Sequence, residues 1–207
     1  MTTVHPFGAE LFPAAAPAAV DETRRTSPLA YWRYAHDYLR VVRDLSRQHR
    51  IAGTESQASL HLAAQAIDFA LLAYLTARGT SVTEARAGTG RSLSRSLERA
   101  EGLGLPPLTR RWQAAVAELA GCLGEAKFKF LPMSAEVFPD LDPVVEAGVF
   151  ILDQCAPEVA ESFVKRFGDG ESATVASLLQ RLRVDLAATT DIGAIRSVAV
   201  RPSPAIR

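Results

Sequence analysis

The sequence has little of what usually signals chemistry. Its two cysteines, Cys122 and Cys155, are too few for a disulfide framework or a cysteine metal cluster, and both fall in stretches with helical periodicity. A reducing, cytoplasmic setting is therefore expected. The four histidines, His5, His36, His49 and His61, form no paired ligand motif, so neither a metal nor a cofactor is expected. Net charge is missing as well: 23 Lys plus Arg balance 23 Asp plus Glu, which argues against a chain that holds nucleic acid by bulk electrostatics. Binding of phosphates would need a local patch. There is no GxxxxGK(S/T) loop and no GxGxxG fingerprint. Alternating strand runs, Asn-Gly hairpin signals and internal repeats are absent too, which leaves an all-α fold as the expectation. The amino terminus lacks a basic region followed by an apolar core and a cleavage site, and the longest apolar run is interrupted by His61, Gln65 and Asp68. No export and no membrane span are expected.

What the chain does have is apolar mass in helical order. Hydrophobic residues make up 48 % of its 207 positions, ample for a sizeable core. Residues 1–27 are Ala- and Pro-rich without sustained periodicity and are expected to form a mobile arm. Ser27-Pro28 then offers an N-cap residue and a proline at the first helical position. Tyr31, Tyr34, Tyr38, Val42 and Leu45 recur at helical spacing, predicting an amphipathic helix that ends before "RIAGTES".

The second predicted helix, about Thr54 to Arg78, contains "AIDFALLAYLTARGTS", apolar on almost every face. Such a helix is one covered by neighbours on several sides, with Gly79 supplying the left-handed residue that ends it. "GTSVTEARAGTG" is expected to be a loop. Shorter helices follow, at about Arg91 to Leu103 and from a Thr109 cap through Trp112, Val116, Leu119 and Leu123. "KFKFLPMSAEVFPDLDP" reads as an extended connector. One helix is expected from Asp142-Pro143 through Leu152, a separate one from Pro157 to Phe167, and a last one within "ESATVASLLQRLRVDLAA". The bundle domain is thus expected over residues 28–190, with a loose tail at 191–207.

"HLAAQAIDFALLAYLTARG", "GRSLSRSLERAEGLGL" and "KFKFLP" together resemble the HEPN superfamily of helical bundles, over about residues 28–156. The resemblance implies a compact multi-helix bundle, and it implies dimerisation. The chain departs from the bacterial branch it resembles at Asp68, where that branch has Glu, at Leu72, where it has Lys, and at Arg91, where it has His. "FKFLP", with Lys129, replaces an Arg-Tyr pair. Catalytic members resemble metal-independent ribonucleases that use an Arg followed after a short gap by a His. Arg43 and His49 have that spacing here, but in the first helix and not in the later helix where the family pattern puts it.

Three groups of residues are candidates for a site. Arg43 and His49 could supply a fixed cation and a proton-transfer group. His61, Gln65 and Asp68 fall in one line on the second helix and are expected to form a buried hydrogen-bonded stripe that fixes register. The third group is basic: Arg91, Arg95 and Arg99 share a helix face, with Arg86 before them and Arg110 and Arg111 after. From Arg78 to Arg111 the local net charge is +4, which suits phosphate oxygens, although Glu98 and Glu101 are available as partners on the same helix.

The leading functional expectation is a non-catalytic bundle that binds a nucleotide, RNA or a protein partner. A diverged endoribonuclease and a structural protein-interaction module are the alternatives. A homodimer is also expected, because Tyr31, Trp32, Phe150 and Phe163 give the bundle surplus apolar surface. An exposed apolar patch would favour the interaction module, and a continuous basic groove the other two.

Overall fold

The computed structural model describes residues 26–52, 57–89, 92–124, 138–167 and 177–183. Among these, every regular element is a helix: α1 (Pro28–Ala52), α2 (Gln57–Ala77), α3 (Val82–Thr89), α4 (Leu93–Gly102), α5 (Arg110–Gly124) and α6 (Leu141–Phe167), with residues 177–183 also helical. The protein is an all-α multi-helix bundle. The expected arm, apart from Thr26 and Ser27, and the expected tail lie outside the described residues, as does the connector up to residue 137.

Ser27 starts α1 as its sequence position requires. Ala30 N–H donates to Ser27 Oγ at 3.2 Å and Tyr31 N–H to the Ser27 carbonyl at 3.1 Å. The helix runs on through "RIA" to Ala52, beyond its expected end.

α2 is the centre of the bundle, and each of the other helices from α1 to α6 contacts it. This explains its composition: residues from Ser59 to Leu75 are buried on nearly every side. By length and hydropathy α2 could also cross a membrane, but here its apolar side chains are covered by protein.

Specific contacts set the helix directions. Trp32 reaches the Leu152 carbonyl, and a methyl group at Gly148 would lie 3.1 Å from Leu39 Cδ2, so α1 and α6 run antiparallel. The same methyl would lie 3.5 Å from Ile67 Cγ1, and Cys155 Sγ approaches the Ala70 carbonyl at 3.5 Å, so α6 and α2 run parallel. Gly148 lets the three helices close on one another.

Two helices end in the same way. At α2, Gly79 has φ 92°, with Thr80 N–H donating to the Leu75 carbonyl at 3.0 Å and Gly79 N–H to Thr76 at 3.2 Å. At α4, Gly104 has φ 104°, with Leu105 N–H donating to Ala100 at 3.0 Å and Gly104 N–H to Glu101 at 2.9 Å. Both are Schellman motifs, which satisfy carbonyls that the helix leaves open.

Two expectations are corrected. The stretch read as a loop contains α3, because Ser81 and Glu84 form a capping box: Glu84 N–H donates to Ser81 Oγ at 3.1 Å and Ser81 N–H to Glu84 Oε2 at 3.4 Å. Nor do two helices meet at Pro157. α6 passes through it, since the proline is exposed while Cys155, Ala156, Val159 and Ala160 on either side are buried. Burial on both flanks outweighs the one hydrogen bond that proline removes.

Candidate functional site

The outward side of α1 has an unusual composition. Between residues 28 and 46 its exposed positions are Arg33, Tyr34, Asp37, Arg40, Val41 and Asp44, a single stripe at spacings of three and four. The inward side buries Trp32, Ala35, Leu39 and Val42 almost completely. Tyr34, 42 % exposed, and Val41, 44 % exposed, are the large hydrophobic residues left open among the described residues, and both lie on this one stripe.

α2 contributes Phe69 beside them. Its half-buried ring has Tyr31 stacked on it at 6.2 Å and meets Tyr34 at 5.7 Å and Tyr38 at 5.6 Å, both tilted. Three tyrosines and a phenylalanine thus make a rigid platform whose outer edge is Tyr34. Tyr31 lies at its base, where burial pushes its hydroxyl above the ordinary value and the nearby Arg86 opposes that shift. Surplus apolar surface therefore exists, but not where it was expected. Tyr31 and Trp32 are buried and Phe150 and Phe163 partly so; Tyr34 and Val41 are the open residues.

The polar stripe of α2 is not buried. His61 is exposed and Gln65 and Asp68 are half-buried. The stripe borders the aromatic platform.

The basic residues do not form a free strip. Arg99 Nη1 donates to the Glu84 carbonyl at 3.0 Å, and its Nη2 lies 3.8 Å from the Glu84 carboxylate. Arg111 pairs with Glu146 at 3.4 Å, and Trp112 Nε1 donates to the same carboxylate at 3.0 Å. Arg78 Nη1 donates to both carboxylate oxygens of Glu158 at 3.2 Å, and its Nη2 to the Leu103 carbonyl at 2.9 Å. Arg86 lies by Tyr31, whereas Arg95 and Arg110 are exposed without an ion pair among the described residues. Arg91 lies outside them. Carboxylates from α3 and α6, which no helix-by-helix reading brings near, supply the partners in place of Glu98 and Glu101.

The Arg43 and His49 pair lies partly outside the described residues. Arg43 is 7 % exposed, so its guanidinium does not face solvent, and the side chain of His49 lies outside the described residues. No group of metal-ligating side chains occurs among the described residues. A depression of about 360 Å³ lies where α2 ends against α6, between Arg78, Gly79, Glu158, Glu161, Ser162 and Lys165. Its charges are matched internally, with Lys165 3.7 Å from Glu161 and Arg78 held by Glu158.

The outward face of α1, with Phe69 beside it, is thus the best-defined candidate. The fold class is a helical bundle, and no protein-family model, curated protein or solved structure matches the chain.

Proposed function

We propose that this protein is a non-catalytic, HEPN-like helical-bundle module, working in the cytoplasm, that binds a protein partner through the outward face of α1. The observation that carries this reading is the placement of Tyr34 and Val41 on one exposed stripe beside the Phe69 platform. Rigid aromatic residues at the edge of a packed cluster are typical anchors of protein interfaces. The internal pairing of Arg78, Arg99 and Arg111 weighs against a phosphate-binding groove, and the burial of Arg43 weighs against ribonuclease chemistry.

A photo-crosslinking amino acid placed at Tyr34, with a control at the exposed Gln113 on α5, tests the proposal in cells. Protein adducts at Tyr34 and none at Gln113 are expected. A parallel assay with a mixed RNA pool in EDTA, at two salt concentrations, is expected to show neither retention nor cleavage. Salt-sensitive retention weakened by Arg95→Ala and Arg110→Ala would restore the phosphate-binding reading.

A further inference from the structure

We infer that the α1 face has a ligand within its own chain: residues 11–20, docked along it as an extended polyproline II strand. This rests on the reading of the face as a protein-binding surface, and it makes the segment a self-ligand that a partner displaces. The argument begins with the face. Tyr34 meets Phe69, and α1 runs antiparallel to α6 and therefore to α2. Leu62, two turns back from Phe69, thus comes level with Val41, two turns on from Tyr34. Leu62 and Phe69 are both only partly buried. The surface then has two apolar rungs, Tyr34 with Phe69 and Val41 with Leu62, about 10 Å apart at the rise of an α-helix.

The segment matches that spacing. Residues 11–20 read LFPAAAPAAV, without one polar side chain, and the polar stretch DETRR follows at 21–25. Pro13 and Pro17 fix φ near the polyproline II value and oppose a helix across the segment. A polyproline II strand has three residues per turn, so every third residue falls on one ridge at intervals of about 9 Å. Leu11, Ala14, Pro17 and Val20 make such a ridge, apolar at each position. Two neighbours on it fit the two rungs: Pro17 on Tyr34 and Phe69, and Ala14, small enough for close approach, at Val41 and Leu62. Tyrosine-lined surfaces suit proline-containing strands because the strand is preformed and loses little entropy on docking.

The covalent connection adds proximity. Ser27 pins the start of α1 through its bond from Ala30 N–H, so the preceding chain joins the helix at the end nearer Tyr34. Tyr34 lies about 12 Å along the helix from Thr26. The chain from Pro17 to Thr26 can span roughly 30 Å, enough to turn back and reach it. So short a linker holds the segment at an effective concentration in the millimolar range. The fit draws on none of the α1 charges, of which Asp37 already faces His36 at 3.6 Å and Arg40 at 3.9 Å.

The test uses the purified full chain with a photo-crosslinking amino acid at Tyr34 or, as control, at the exposed Gln113. Trypsin cuts after Arg24, Arg33 and Arg40, so docking is expected to join peptide 1–24 to peptide 34–40. In an equal mixture of light and isotope-labelled chains, only light–light and heavy–heavy products are expected. The double variant Leu11→Asp/Pro17→Asp sets charges against the apolar rungs and should lower the yield at least about tenfold. In cells the same variant should raise capture of other proteins at Tyr34. Circular dichroism checks that the bundle is unchanged. The inference is overturned by the absence of the 1–24 product, by equal yields from Tyr34 and Gln113, by light–heavy products, or by a yield that the variant leaves unchanged. Capture of a separate protein in cells without the 1–24 product sinks the self-ligand and leaves the interaction module standing. The 1–24 product with no other protein captured, even in the variant, keeps the segment as the occupant of the face and removes the partner reading.

Discussion

The indole Nε1 of Trp32 donates to the carbonyl of Leu152 at 3.0 Å, tying α1 to α6 little more than a turn before Pro157. Trp32 is 1 % exposed, so its N–H would be stranded without this acceptor. Trp32→Phe removes the bond and leaves a small void. It is expected to cost roughly 2 kcal/mol, and Trp32→Ala about 3–5 kcal/mol, in urea unfolding followed by far-ultraviolet circular dichroism. A Trp32→Phe chain within about 0.5 kcal/mol of native, the range of ordinary surface substitutions, would contradict this role.

Gly148 tests the closeness of the three central helices. Leu39 and Ile67 are fully buried and hold the space that a side chain at Gly148 would enter. Gly148→Val should therefore overpack the α1, α2 and α6 junction, at a cost of about 1–3 kcal/mol. If Val is tolerated without loss of stability, the junction is looser than these distances indicate.

Much of the fold was legible because helical periodicity and terminal residues are local signals. Ser27-Pro28, Thr109 and Gly79 start or end helices where their chemistry says they should. α3 was legible too, in Ser81-Val82-Thr83-Glu84, but its eight residues gave too short a periodicity to outweigh the surrounding Gly and Thr. Pro157 misled because whether a proline ends a helix depends on what is buried around it, and that is a tertiary property. The candidate site was less legible for the same reason. In α1 two apolar stripes overlap, one through Trp32, Ala35, Leu39 and Val42 and one through Tyr31, Tyr34, Tyr38 and Val41. Packing decides which of them faces out. The arginine partners were hidden because Glu146 and Glu158 come from a helix far along the chain.

The paired glycine ends yield a prediction about strain. Gly79 and Gly104 both adopt positive φ, which L side chains reach only at a cost. Around Gly79 the space is open, so Gly79→Ala should lose about 1 kcal/mol from backbone strain alone. Gly104 also lies close to Tyr74 Oη and Arg78 Nη2, 3.6 and 3.8 Å from where a methyl group would sit. Gly104→Ala should cost at least as much and should also loosen the contact of Arg78 with the Leu103 carbonyl. Chemical denaturation of the two variants checks the order, and the idea fails if either substitution stabilises the protein.

Stability should fall on the alkaline side, and the buried groups give the sign. Cys155 is wholly buried, and burial, with a smaller contribution from Glu158, pushes its thiol far above the ordinary value of 9.0. Tyr74 is raised above 10.0 by burial, with Arg78 opposing and Glu158 and Cys155 reinforcing, and Tyr31 is raised by burial against Arg86. Each of these groups keeps its proton in the folded chain at a pH where the unfolded chain has begun to lose it. The folded state then binds more protons, so the unfolding free energy declines as pH rises. Their contribution is fully present below the unfolded pKa values and is lost above about pH 9 for the thiol and about pH 10 for the tyrosines. Urea midpoints should therefore hold level near neutrality and drop at higher pH. Cys155→Ala should make the first part of that drop shallower, even if it lowers stability at neutral pH by opening a small void. An unchanged slope in the Cys155→Ala chain would show that the thiol does not contribute to the alkaline loss.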